Sequence, residues 1–179
     1  MNRRLAVSAL TLSFALSTAF AGGSAQAPLG PVTTAQVSND SDVLAMEVMS
    51  MSNLTEITTS QLALQKSSNQ AIRAFAQQMI TEHTRAQAEL SNLAAQKGIR
   101  IADKPGADQR LQYNRLTTLS GAAFDAAYKN VQVNGHAMTL ALIQTYRSIG
   151  KDPQGLALAA KMQPVVARHL EEAKALPGG

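Results

Sequence analysis

The chain has 179 residues, no cysteine, no tryptophan and three histidines, and its formal charge of +4 falls to +2 once Arg3 and Arg4 are set aside. Without cysteine there is neither a disulfide framework nor a cysteine-borne lipid anchor. The remaining charges are scattered and aromatic residues are few, so no basic nucleic-acid face and no stacking platform for single strands or sugars is expected.

Arg3 and Arg4 precede the apolar run Leu5 to Phe20, and Ala25-Gln26-Ala27 offers small residues at the spacing of a signal-peptidase site. Residues 1–27 therefore read as an export signal cleaved after Ala27, with Ala21 as the alternative point. The run is shorter than the roughly 20 residues of a spanning helix, and no later segment reaches that length. Residues 28–40, small and proline-containing, read as a flexible leader. Residues 41–176 then form one domain with a single core. The expected location is the periplasm or the outside of the cell.

Four helices are expected at 41–66, 69–97, 119–149 and 153–175, with a shorter one at about 107–117. Asn69 is placed to cap the second, and Gly98 to end it in a left-handed conformation. Gly150 is expected to close the third in the same way, and Asp152-Pro153 combines an N-cap with proline at the first helical position. On the second helix Ile72, Ala76, Met79, His83, Ala86, Leu90 and Leu93 alternate spacings of four and three, which puts His83 on the apolar stripe. The series Ala126, Val133, His136, Leu140, Ile143 and Leu158, Met162, Val165, His169, Ala173 do the same for the other two histidines. The first helix is harder to phase, and Glu56 faces either inward or sideways. Pro164 should bend the last helix and re-aim His169. With no strand-like alternation of useful length, the expected fold is all-α: an up-down-up-down, ferritin-like four-helix bundle with an extra short helix in the middle connection.

Three histidines on three core-facing stripes need partners, because a buried imidazole left unpaired is costly. A shared metal ion would satisfy them together. Imidazole and carboxylate donors without thiolate suit zinc, iron, manganese or copper. None of the histidines has a glutamate three residues before it, which disfavours a carboxylate-bridged di-iron oxidase. Met46, Met49 and Met51 read as core filling. Asp125 lies eleven residues before His136, about 16 Å along a helix, and on spacing alone it is better placed to brace the start of its helix.

Glu56, Leu62 to Asn69, Phe75 to Thr84, Leu119 to Tyr128, Gly135-His136 and Pro164 to Leu170 together resemble the exported bacterial family known as domain of unknown function 4142. The resemblance covers nearly all of the chain after the signal. It implies a ferritin-like bundle, secreted or periplasmic, with a metal site and no settled activity. It matches Glu56 and His83 to the carboxylate and histidine positions of the first helix pair, and Asp125, His136 and His169 to those of the second. The family commonly has aspartate where this chain has Glu82, a longer arm suited to supporting a ligand. The expected metal-site residues are accordingly Glu56, His83, Asp125, His136 and His169, with zinc or iron as the ion. The function expected is metal binding or stress protection in the cell envelope, and a metal-free structural or interaction protein is the rival reading. Binding is favoured over catalysis, and metal-dependent oxidoreduction is the chemistry such a site would support. A homodimer is compatible with the sequence.

Overall fold

The computed structural model describes residues 40–178; the expected signal and all but the last residue of the leader lie outside them. Five helices are present among the described residues: α1 (Ser41–Lys66), α2 (Gln70–Gln96), α3 (Ala107–Thr117), α4 (Gly121–Ile149) and α5 (Pro153–Ala175). Their boundaries follow local chemistry. The Asp40, Asn69 and Asp152 side chains accept backbone N–H groups at the starts of α1, α2 and α5, and Pro153 occupies the first turn of α5. Each such cap satisfies donors that helix geometry leaves free. Gly98 follows α2 with φ +66°, as expected. Gly150 differs: its φ is −63° and ψ 155°, extended and not left-handed. What Gly150 provides is room, since a β-carbon there would overlap the Tyr146 ring.

This is a ferritin-like four-helix bundle of α1, α2, α4 and α5, with α3 in the middle connection. Neighbours around the bundle are α1 with α2, α4 with α5, α1 with α4, and α2 with α5. The Lys97 ammonium binds Asp152 at 2.5 Å, tying the end of α2 to the start of α5, whereas Lys66 at the end of α1 donates to the Thr117 and Leu119 carbonyls. Residues 97–120 therefore run back along the bundle, and Ser50 of α1 donates to the Ala102 carbonyl on the way. Direction within the bundle follows from this return: α2 and α4 both run away from the pole that Lys66 occupies, so the helix order is up-down-down-up and not the expected up-down-up-down, because the crossover carries the chain back before α4 begins. The single long crossover is the ferritin-type connection.

Two apolar clusters fill the ends. Met46, Met49, Leu90, Ile143, Leu158 and Met162 belong to one, and Leu62, Ile72, Phe75, Met79, Phe124 and Tyr128 to the other. Burial of such side chains removes apolar area from water at about 25 cal/mol per Å². Helix α1 also buries Ser50, Ser52, Asn53, Thr55, Glu56, Thr59 and Ser60. Helices α2 and α4 and the crossover cover it on several sides, which is why one apolar stripe could not phase it. Its polar groups pair across the interface with α4: Ser52 with Thr139 at 2.6 Å, Ser60 with Tyr128 at 2.8 Å, and Gln132 donating to Thr59 at 3.1 Å.

At the Asp152 pole, Asp42 accepts from the Tyr146 hydroxyl at 2.7 Å and from the Lys151 and Asp152 amides. Gly155 lies against the same hydroxyl, where a β-carbon would overlap it. Gly155→Ala is expected to displace Tyr146 from Asp42 and to cost about 1–3 kcal/mol, the usual penalty of overpacking. A denaturant titration checks this, and an unchanged midpoint would show that Tyr146 yields freely.

Candidate metal centre

Between the two apolar clusters lies a polar layer, and all three histidines are in it. His83 comes from α2, His136 from α4 and His169 from α5, with 5 %, 1 % and 1 % of their surface exposed. Their ring centroids are 5.3–5.5 Å apart, and one ring nitrogen from each lies within 4.8 Å of the others.

The outward nitrogen of each ring is tied to an acceptor. His136 Nδ1 is 2.8 Å from the Gln132 carbonyl, one turn earlier on α4. A carbonyl only accepts, so Nδ1 carries the proton and Nε2 the lone pair. His169 Nε2 is 2.9 Å from Glu82 Oε2, and the Arg168 guanidinium donates to the same oxygen at 2.7 Å. Burial works against the Glu82 charge, but Arg168 and His169 together hold its carboxyl below the ordinary range. The ionised carboxylate accepts from Nε2–H, leaving the lone pair on Nδ1. His83 Nδ1 is 2.9 Å from Asn53 Oδ1, while the Asn53 amide donates to Gln87 Oε1 at 3.2 Å. Gln87 donates to Ser50 at 2.7 Å, and Ser50 to the Ala102 carbonyl at 2.7 Å, so a hydrogen-bonded chain anchored in the crossover fixes the Asn53 oxygen toward His83.

The inward nitrogens, His83 Nε2, His136 Nε2 and His169 Nδ1, are buried and have no hydrogen-bond partner. Each buried acceptor left unpaired costs roughly 1–3 kcal/mol. Three unpaired nitrogens on rings clustered this closely is an arrangement that a cation relieves. Metal-ligating histidines characteristically donate their second ring N–H to a carboxylate or carbonyl, which sets tautomer and orientation. All three rings here follow that pattern, so these residues fit a transition-metal ion.

Glu56 is buried beside the trio but on its outer side. Its Oε1 lies 3.9 Å from His136 Nδ1, the protonated edge of the ring, and its Oε2 has no partner. Gly135 gives the carboxyl room, since a β-carbon there would sit 2.8 Å from Oε1. Burial pushes the Glu56 carboxyl above the ordinary range, against the opposing pull of His136 and Gln132. Asp125 is three turns of α4 from His136 and next to Gly178 in space, and the structure does not bring it to the imidazoles. Helix α5 runs unbroken through Pro164, and His169 still points into the trio. The residues that sequence reasoning missed are Asn53, Gln87 and the Gln132 carbonyl. Asn53 stands one turn before Glu56 on α1, a signal visible only once α1 is phased. Glu82 does support a histidine, but across the bundle on α5 instead of its neighbour His83.

Burial holds His83 well below the ordinary imidazole value of 6.5, and the other two rings push the same way. Burial also lowers His169, with Glu82 opposing. As pH falls below 6.5, the unfolded chain takes up protons that folded His83 and His169 refuse, so their contribution to the stability of the metal-free protein is full above that pH and declines below it. For His83, held furthest below that value, the decline approaches about 1.4 kcal/mol per pH unit. Glu56, raised above 4.5, acts in the opposite sense with one carboxyl against two imidazoles. Thermal melts of chelator-treated protein from about pH 7.5 down to pH 5 are expected to show a falling Tm; a rise would contradict the assignment of neutral buried rings.

Residues 26–176 match the family described as Domain of unknown function (DUF4142). The chain belongs to that family. No curated protein sequence matches it. Among solved structures it is similar to CopM in the Cu(I)-bound form, at 18% identity and a TM-score of 0.63 over 74% of this chain and 92% of that one. CopM in the Cu(II)-bound form is similar at 16% identity and a TM-score of 0.60, over 74% and 93%. At such identity the likeness is one of fold.

Proposed function

We propose that this protein is an exported metal-binding protein whose bundle holds one copper ion on His83 Nε2, His136 Nε2 and His169 Nδ1. The observation that carries the reading is the convergence of three buried, unpaired ring nitrogens whose opposite nitrogens are all tied to acceptors. Support for export is the arginine pair, apolar run and Ala25-Gln26-Ala27 at the N-terminus. None of the helices in the described residues is long and apolar enough to cross a membrane.

The donor set favours copper over the zinc or iron that sequence alone points to. Three neutral imidazoles with no carboxylate facing the lone pairs suit copper, which also binds nitrogen donors more strongly than zinc or iron in the divalent series. Cu(I) brings only one charge into the buried layer, and burying charge is what such a site resists. The copper-bound forms of CopM, which share the fold, point the same way. Glu56 then serves as a buried counter-charge and Glu82 and Asn53 as orienting groups. The role is binding and sequestration.

The test is copper titration of the untagged protein against a competing chelator, followed by elemental analysis. One equivalent per chain is expected; protein that leaves all the copper with a weak chelator refutes the reading. Asn53→Ala frees His83 to rotate and is expected to weaken copper affinity by about 10–100-fold, the usual range for a group that orients a ligand. The same competition assay measures it.

A further inference from the structure

The polar layer is closed along the bundle axis by the two apolar clusters and on the α1 side by the Ser52–Thr139, Asn53–Gln87 and Gln132–Thr59 hydrogen bonds. The seam between α2 and α5 is different. It contains a cleft of about 200 Å³ whose lining includes both His83 and His169, along with Ala86, Met162 and Val165. His136 does not line it. A second hollow of about 410 Å³ continues along the seam past Leu93 and Leu158. Glu89 and Lys161 line both, and the Lys161 ammonium spans the seam to both Glu89 carboxylate oxygens at 2.7 Å. The pair is solvent-exposed, with 66 % and 43 % of the two side chains accessible, so it is weakly held and readily opened.

From this we infer that the α2–α5 cleft is the route by which the ion enters and leaves the trio, with His83 and His169 receiving it first, His136 completing the set from behind, and the Lys161–Glu89 pair bridging the mouth. The inference rests on the copper reading above. Met162, 8 % exposed and lining the cleft, places a soft thioether along the path, a donor type suited to Cu(I). Passage needs no unfolding of the bundle, because two of the three ligand residues, His83 and His169, already line the cleft.

The experiment measures copper(I) loading and its removal by bicinchoninate, by stopped-flow absorbance on the full chain. Ala86→Trp and Val165→Trp plug the cleft; Met138→Trp, on an exposed residue of α4 away from it, is the control. Loading and removal should both slow by about tenfold or more in the plugged variants, as for other gated sites, with equilibrium affinity and the control unchanged. Lys161→Ala and Glu89→Gln test the bridge by surface substitutions that leave the core intact. Both should accelerate exchange if the bridge restrains it, whereas pure charge steering would make Lys161→Ala faster and Glu89→Gln slower and would overturn the bridging role. Plugged variants that fold and exchange at the wild-type rate would overturn the route while leaving the copper reading standing. A wild-type protein that takes up no copper would remove both.

Discussion

Replacing His136 by leucine is expected to lower copper affinity by more than about a hundredfold, beyond the 10–100-fold typical of orienting groups, while leaving the metal-free bundle folded. His136 supplies one of three donors, and it is the one of the three that does not line the α2–α5 cleft, so solvent does not easily substitute for it. In the metal-free protein the balance is different. The lost Nδ1 hydrogen bond goes to the Gln132 carbonyl, which as a helix carbonyl already accepts from the backbone one turn on. Leucine also removes a buried nitrogen that has no partner, and replacing an unpaired polar group by an apolar one is close to neutral or stabilising. Affinity loss without stability loss is thus the signature of a metal ligand. The metal-free rival, in which the histidines are hydrogen-bonding posts, predicts the reverse: unchanged metal behaviour and a destabilised bundle.

Copper is expected to raise the melting temperature, and a chelator to reverse the rise. An ion that binds only the folded chain stabilises it by about 4 kcal/mol when free ion exceeds the dissociation constant a thousandfold. For a domain of this size each kcal/mol is worth about 2–4 °C, so the rise should be about 8–16 °C. Thermal melts by circular dichroism, with and without copper, give the number. His136→Leu should show no such rise. A wild-type melt indifferent to copper and chelator alike would leave the trio without an ion to bind.

Much of this was legible in the sequence, and for identifiable reasons. Asn69, Gly98 and Asp152-Pro153 mark helix ends because they answer a local need, the unsatisfied groups of a helix terminus, which sequence displays directly. The three histidines were legible as core residues because each rides an apolar stripe. Glu56 was not fully placed, because α1 is covered on several sides and its stripe is blurred by buried Ser, Thr and Asn side chains. Which group backs which ring depends on cross-helix register: Glu82 adjoins His83 in sequence yet meets His169 in space. Chain direction likewise depends on where the crossover lands, which Lys66 and Lys97 fix through contacts with residues more than fifty positions away. Asp125 shows the opposite case, where helix rise alone had already separated it from His136.

The most direct test of the central claim is X-ray absorption at the copper edge on protein loaded with one equivalent of Cu(I). Three nitrogen scatterers at about 2.0 Å, the distance usual for imidazole ligands, with the outer-shell pattern of imidazole rings and its loss in His136→Leu, is the predicted result. A first shell dominated by sulfur, or one unchanged by that substitution, would contradict it.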